Sequence, residues 1–483
     1  MRPFLTRKRR RNTAAEVLVL IGLIALLFSA SKAHHFKLRL VKDAFASPSD
    51  VSAAPLCGKL DNRTDSIPKN WTSFAPPGGG KSYIDASFGC AVKRLTDGQE
   101  ETLWNGTHPS LGIYYSTLTP MNSSDSMVMI GSNDGSWRIK DTAGNVIVGT
   151  DKMPKMNDGH PVWDASDSTA FYYTYGNGLY KATVHGHEIK TLMLNRFLEY
   201  SGVTSPDAAD LSEDGDHIAL VGENADKTMD VFVWGLNGRR KTSTYKTTCT
   251  VNQWGIENTP QPGCVHKLLL TPDNLLAIDF SQDGTGREQG VRLWDGKNLL
   301  HLQDGTNHID TGYDLNGVAV FIEVGRNSTL SGEVSPCGSG WGLDVRQIHN
   351  LHSATCLLDR QPSWHVSYRG GPTQPWAVLS FFDDRKKGPE FFNNDGRFRQ
   401  PSIANWLLYE DEIVLARIDG REIYRLAHAR SRSAENYSAQ PHASISRDGK
   451  YVLFNSNMAY PDGCPAKMHV ADECTDVYMI KVR

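Results

Sequence analysis

Three features that mark common classes of protein are missing from this chain of 483 residues. It has no Cys-x-x-Cys pair, which excludes a zinc or thiol-redox site of that type. It has no Gly-x-Ser-x-Gly elbow, so an attached serine hydrolase is not expected. No long segment shows helical hydrophobic periodicity. The 43 glycines and 23 prolines are instead typical of many short strands joined by turns.

A basic surface is also missing from most of the chain. The formal net charge is −3, and six basic residues between Arg2 and Arg11 carry +6, which leaves −9 for the rest, since −3 less 6 is −9. A mildly acidic body does not favour a nucleic-acid partner, because phosphate contact needs a basic face. We expect the basic N-terminus to face anionic lipid or a translocon instead.

The only long apolar run near the N-terminus is too short for a full bilayer span. Val17–Ala30 has 14 residues, whereas a span takes about 20. This length fits the core of a signal peptide, and Ser31-Lys32-Ala33 is an acceptable cleavage site. A cleaved signal and an uncleaved membrane anchor both remain open, and both predict an extracytoplasmic protein. We therefore assign 1–33 to the signal or anchor, 34–81 to a polar stalk and 82–483 to the main domain.

All eight cysteines follow the apolar run. An even number of cysteines in an exported chain indicates disulfides, although eight cysteines allow 105 pairings. Pairing of nearest neighbours is favoured because three of the resulting loops are short insertions between strands. It predicts the bonds 57–90, 249–264, 337–356 and 464–474.

From about residue 82 the chain repeats a unit of a short strand, a polar turn, an apolar strand and a hairpin. Leu211–Val221 and Ile445–Phe454 show the turn and apolar strand clearly. The predicted hairpins are Trp137–Val148, Leu179–Leu192, Val231–Thr242, Val291–Leu302, Leu343–Leu358 and Glu412–Leu426. A seventh unit ends the chain with only three strands, His442–Ser446, Tyr451–Asn455 and Asp476–Val482.

The strand that the seventh unit lacks has a match at Ala91–Thr96, near the start of the repeats. A ring of sheets closed by this strand explains both observations. The sequence therefore predicts an all-β fold, a seven-bladed β-propeller closed by pairing an N-terminal strand into the last blade.

The innermost strand of each blade begins at one mouth of the central channel. Aligning the units on the apolar residue before each turn places one equivalent residue of each unit there: Tyr115, His160, Ala208, Lys267, Asp310, His365 and His442. Three histidines in seven positions exceed chance, and His308 lies two residues before Asp310. These side chains either face a water-filled channel or form a metal or catalytic cluster, because imidazole and carboxylate bind divalent metals and histidine moves protons near neutral pH.

The segment Gln440–Asn457, followed by Asp476–Val482, resembles the closing blade of TolB-like propellers and is most similar to the oligogalacturonate lyase family. The resemblance implies cleavage of polyuronides by β-elimination with a divalent metal held by Gln and His. The family's C-terminal motif is Gln-x-x-His-x-His. Its last His falls on His442, whereas Gln440 and Tyr437 occupy the other two ligand positions. His365 would match the upstream ligand.

We expect a monomeric propeller that binds a glycan or an envelope protein at the channel mouth, with membrane contact through the N-terminal segment if it is not cleaved. The alternative is a metal-assisted uronate lyase, and an envelope scaffold is a third possibility. In the lyase, His308 or Lys267 would be the base and Arg369 would pair with a carboxylate. The ligands of a manganese or calcium ion would be His365, His442, Asp310 and Gln440.

Overall fold

A computed structural model describes residues 55, 57–71, 73–157, 159–205, 210–250, 265–280, 288–303, 308–325, 336–338, 342–359, 365–381, 406–432, 437–470 and 473–483. Within these ranges thirty strands form seven antiparallel sheets, together with two short 3₁₀-helices, Gly98–Glu100 and Tyr437–Ala439. The predicted signal or anchor segment, 1–33, lies outside the described residues. No helix in the described ranges has the length and apolar character needed to cross a membrane.

The first three strands precede the first complete blade and are β1 (Lys59–Leu60), β2 (Ser82–Ile84) and β3 (Ala91–Arg94). Blades one to five are four-stranded sheets whose strands pair in chain order. Blade one comprises β4 (Leu111–Gly112), β5 (Met127–Ser132), β6 (Trp137–Asp141) and β7 (Val146–Val148). Blade two comprises β8 (Val162–Trp163), β9 (Ala170–Tyr175), β10 (Gly178–His185) and β11 (Glu188–Arg196). Blade three comprises β12 (Gly202–Thr204), β13 (His217–Glu223), β14 (Thr228–Gly235) and β15 (Arg240–Thr250).

The next two blades follow the same order. Blade four comprises β16 (Val265–Leu270), β17 (Leu276–Phe280), β18 (Gly290–Trp294) and β19 (Leu299–Gln303). Blade five comprises β20 (Ile309–Tyr313), β21 (Ala319–Gly325), β22 (Gly342–Gln347) and β23 (Asn350–Leu358).

Blades six and seven each gain strands from the N-terminal part of the chain. Blade six comprises β24 (His365–Ser367), β25 (Trp376–Ser380), β26 (Glu412–Arg417) and β27 (Ile423–His428), with β1 added at its outer edge. Blade seven comprises β28 (Ser444–Ile445), β29 (Tyr451–Ser456) and β30 (Asp476–Lys481), followed outward by β3 and β2. In the pairing of β3 with β30, Val92 lies opposite Ile480. The predicted seven-bladed propeller is confirmed.

The strand sequences explain why the sheets stack in a ring. In β29, Val452, Leu453 and Phe454 are consecutive and fully buried, because each inner sheet is covered on both faces by its neighbours. In the outer strand β11, by contrast, every residue is exposed or half-buried. The turn before β29 needs Gly449, whose φ of +73° is unfavourable for residues with a Cβ.

Three of the four predicted disulfides are present, namely 57–90, 337–356 and 464–474. The fourth, 249–264, involves Cys264, which lies outside the described residues. Disulfides persist in oxidising compartments, so these three bonds indicate an extracytoplasmic protein. The 57–90 bond, strand β1 and the buried Trp71 also join residues of the predicted stalk to the propeller.

Asp476 holds the N-terminal strand in blade seven. Its buried carboxylate pairs with Arg94 at 2.6 Å and accepts hydrogen bonds from the Thr96 hydroxyl, the Gly98 N–H and the Tyr460 hydroxyl. Arg94 also lies 2.9 Å from Asp97, so removing Asp476 leaves this buried charge only partly compensated and removes three further hydrogen bonds.

We therefore expect Asp476→Ala to lower the free energy of unfolding by about 3–5 kcal/mol, measured by denaturant titration. Asp151→Ala, at an exposed position, is the matched control and should change stability by less than about 0.5 kcal/mol. Equal effects of the two substitutions would show that the carboxylate does not secure ring closure.

Candidate ligand-binding site at the channel mouth

The innermost segments of five blades bring five polar side chains together, one from each blade. Lys267 lies in β16 and His365 in β24, whereas Tyr115 follows β4, and His308 and His442 lie just before β20 and β28. Because these strands begin at the same mouth of the channel, residues far apart in sequence become neighbours. We call these five residues the mouth cluster.

A chain of hydrogen bonds crosses the mouth cluster. The Lys267 ammonium donates to the Tyr115 hydroxyl at 2.8 Å, and that hydroxyl lies 2.8 Å from Nδ1 of His308. Since the tyrosine oxygen accepts from lysine, its own hydrogen is available for the histidine nitrogen. Lys267 also lies 4.9 Å from the centre of the Tyr115 ring. The two residues predicted as alternative bases are thus linked through one phenol.

His365 and His442 form the buried part of the mouth cluster. Their ring centres are 4.0 Å apart, and His308 lies 4.5 Å from His365 on the same measure. Nε2 of His365 donates to the Gln440 side-chain oxygen at 2.9 Å. Nε2 of His442 is buried and has no hydrogen-bond partner among the described residues. The backbone of His442 has a φ of +43°, a strained conformation for a residue with a Cβ.

Both buried imidazoles are held in the neutral form. Burial, together with the nearby Lys267 ammonium, lowers the pKa of His442 to about 3. Burial and the neighbouring His442 and His308 lower the pKa of His365 well below its usual value, although the bond to Gln440 opposes this shift. Neutral imidazole is the form that binds metals and accepts protons.

Asp310 and Arg369 lie further along the inner strands, in a separate network. Asp310 accepts the backbone N–H groups of Thr311 and Tyr368. Arg369 lies 3.6 Å from Asp310 and 3.4 Å from Asp210, and Arg447 lies 3.3 Å from Asp210. Burial raises the pKa of Asp310 to about 7. Backbone N–H groups therefore hold both oxygens of Asp310, and Arg369 is its charged neighbour.

The described histidines of the mouth cluster do not belong to any group of three His, Cys, Asp or Glu side chains close enough to share a metal ion. Among the described residues, Cys337, Asp344 and Cys356 are the one set of three His, Cys, Asp or Glu ligand atoms within 4.8 Å of one another. Those two cysteines form a disulfide and offer no thiolate to a metal. A three-ligand metal site at the mouth would therefore need a side chain of another type beside the histidines, such as the amide of Gln440.

A groove of about 990 Å³ opens from the mouth cluster over blade one. Its walls carry five large aromatic side chains, namely Tyr114, Tyr115, Trp137, Tyr175 and Tyr437. Tyr114 is 40% exposed and packs against Trp137 with ring centres 5.8 Å apart. Among the described residues of its lining, the charged ones are Lys155 and Lys267, and none is Asp or Glu.

Sequence reasoning missed Tyr115 as a functional residue and missed the groove. Tyr115 occupied the aligned position, but a tyrosine beside an apolar strand is more often a core residue. The groove combines the loop 150–159 with residues of blade one and of the closing blade. No short motif marks such a surface.

Replacing His442 should change how stability depends on pH. The pKa of His442 is depressed in the folded state, so the unfolded state binds more protons as pH falls below about 6.5 and stability falls. Asn tolerates positive φ, so His442→Asn removes the imidazole with little backbone cost. Between pH 7 and pH 5 the variant should gain about 1–2 kcal/mol relative to wild type in denaturant titrations. The exposed control His185→Asn should follow wild type, and parallel curves for His442→Asn would contradict a depressed pKa.

Comparison with known proteins supports the fold. No protein-family profile and no curated protein sequence matches the chain. The solved structure of an oligogalacturonate lyase from Vibrio parahaemolyticus is similar with a TM-score of 0.52 and 9% identity, covering 88% of this chain and 98% of that one. The WD40 domain of Neurospora crassa Pan2 gives a TM-score of 0.42 and 10% identity over 84% of this chain and 98% of that one. The likeness to a TolB-like propeller, predicted from the closing blade, is thus confirmed at the level of the fold.

Proposed function

We propose that this extracytoplasmic propeller binds an acidic oligosaccharide in the groove at the channel mouth. The observation that carries the proposal is the charge of the groove: the described residues of its lining include two lysines and no carboxylate, although the body of the protein is acidic. A cationic groove on an acidic protein favours anionic ligands over neutral ones.

The shape and lining of the groove suit a chain of sugars. Its volume lies at the upper end of the range of about 300–1,000 Å³ for small-molecule sites, which is enough for several sugar rings. The faces of Tyr114, Trp137 and Tyr175 offer apolar surfaces for the C–H faces of sugars, and Asn133 and Asn157 offer amide groups for hydroxyls.

Lys267 stands at the inner end of this groove and is oriented by Tyr115. A lysine held by one hydrogen bond still has two N–H donors for a carboxylate. We therefore assign Lys267 the main role in recognising a uronate carboxylate, with Lys155 as a second cationic contact further out.

Binding of a short oligogalacturonate should depend on Lys267. By titration calorimetry we expect Lys267→Met to raise Kd about 10-fold or more, because a desolvated charge-assisted hydrogen bond is worth about 1.5–3 kcal/mol. The control Lys190→Met alters an exposed lysine on β11 and should leave Kd unchanged. Neutral oligosaccharides of equal length should bind more weakly than the acidic ligand. Equal affinity for acidic and neutral chains would contradict the proposal.

The second candidate is a uronate lyase, favoured by the buried Nε2 of His442, which lies beside His365 and has no hydrogen-bond partner among the described residues. In β-elimination a base removes the proton on C5, the C4–O bond breaks, a C4–C5 double bond forms, and the departing oxygen takes a proton. His308 and Lys267, linked through Tyr115, are the candidates for these proton transfers.

Two neutral imidazoles and one amide oxygen fit a divalent transition metal, with His365, His442 and Gln440 as its ligands. They do not fit calcium, which takes six to eight oxygen ligands. A metal held there would neutralise the uronate carboxylate and so acidify the neighbouring C–H bond.

The lyase proposal predicts that purified protein contains a manganese-like metal and releases an unsaturated uronate from pectic polymers, detected by ultraviolet absorbance. His442→Asn should lower both metal content and product rate by at least about 10-fold. His185→Asn, far from the mouth in sequence and exposed, is the control. If the protein binds acidic oligosaccharides but contains no metal and releases no unsaturated product, the binding function stands and the lyase is excluded.

A further inference from the structure

Two buried arginines follow blade six on the way to blade seven. Arg430 and Arg432 are 4% and 6% exposed and lie two residues apart, just after β27. The N-terminal residues Lys69, Trp71 and Phe74 contact them. This site is separate from the mouth cluster and uses none of its residues.

Each guanidinium makes one stacking contact and one hydrogen bond with the N-terminal segment. Arg430 lies 4.0 Å from the Phe74 ring centre and donates through Nη2 to the Lys69 carbonyl at 3.4 Å. Arg432 lies 5.5 Å from the Trp71 ring centre and donates through Nη2 to the Trp71 carbonyl at 3.2 Å. Nε and Nη1 of both arginines take no part in these two hydrogen bonds.

These remaining groups are buried donors without acceptors. Nε and Nη1 of Arg430, the same atoms of Arg432, and Nε1 of Trp71 have no hydrogen-bond partner among the described residues. Buried N–H groups are normally satisfied, and charged ones are especially costly when they are not. Five such donors around one short segment indicate an acceptor that the described part of the chain does not supply.

Several other buried arginines of the described chain have carboxylate partners. Arg94 pairs with Asp476, Arg346 with Glu323, and Arg425 with Glu412. Arg430 and Arg432 have no such ion pair within the described residues.

Asp411 is a carboxylate close enough to act electrostatically on both arginines. It does not supply the missing charge. Within the described residues no hydrogen bond or ion pair joins Asp411 to either guanidinium: its Oδ1 accepts the Ser431 N–H, its Oδ2 is buried without a hydrogen-bond partner, and burial raises its pKa to about 8. Asp462 also acts on Arg432 but lies at an exposed position without an ion pair to it.

We propose that Arg430 and Arg432, with the indole N–H of Trp71, bind a small inorganic anion such as sulfate, phosphate or chloride. Guanidinium groups present rigid sets of donors that suit such anions. The anion would neutralise two buried positive charges and secure the N-terminal segment across the junction of blades six and seven.

The test follows thermal unfolding of the full chain after exchange into a gluconate buffer. Sulfate, phosphate and chloride are then added separately at constant ionic strength. At least one of them should raise Tm by several degrees with a saturable dose dependence. Arg432→Gln should abolish that response, whereas the exposed control Arg239→Gln should retain it. A flat response of the wild-type protein to all three anions would overturn the proposal.

Crystals grown with bromide or selenate decide the matter even if Arg432→Gln does not fold. The proposal predicts an anomalous peak within hydrogen-bonding distance of both Arg430 and Arg432. Water molecules alone between these arginines and Asp411 would overturn it.

Discussion

The whole ring depends on the antiparallel pairing of β3 with β30. Each blade buries both faces of its sheet against its neighbours, so an open ring would expose two apolar faces at the gap. The pairing completes blade seven with a strand from the other end of the domain, and the buried Arg94–Asp476 ion pair fixes it there. Closure also sets the site, because Tyr115 of the first blade and His442 of the last meet across this junction with ring centres 5.5 Å apart.

Charge is arranged in two layers along the channel. Further along the inner strands, Asp210, Asp310, Arg369 and Arg447 largely compensate one another and link blades three, five, six and seven. At the mouth, Lys267 contacts a neutral phenol, and the two histidines nearest to it are neutral because of burial. The charge at the mouth is therefore available to a ligand, and the charges beyond it hold the ring together.

Much of the fold follows from local sequence rules, whereas the site follows only partly. Turns such as Ser446–Lys450 between apolar runs indicate strands directly, and counting them gave the correct number of blades. The shared register of inner strands predicted that His308 or Asp310 converges with His365 and His442, and the ring centres of His308 and His442 lie 4.5 Å and 4.0 Å from that of His365. Asp310 shares that register, but two backbone N–H groups and Arg369 hold its oxygens. The pattern of residues along the sequence does not show which backbone groups will form hydrogen bonds with a given side chain. It also does not show how loops of separate blades combine into a groove.

The most direct test of acidic-glycan binding is a crystal structure of the protein with a short oligogalacturonate. The account predicts a uronate carboxylate within hydrogen-bonding distance of Lys267 Nζ, and sugar rings along the faces of Tyr114 and Trp137. Oligosaccharide bound at another surface, or a groove that stays empty at saturating ligand, would contradict it.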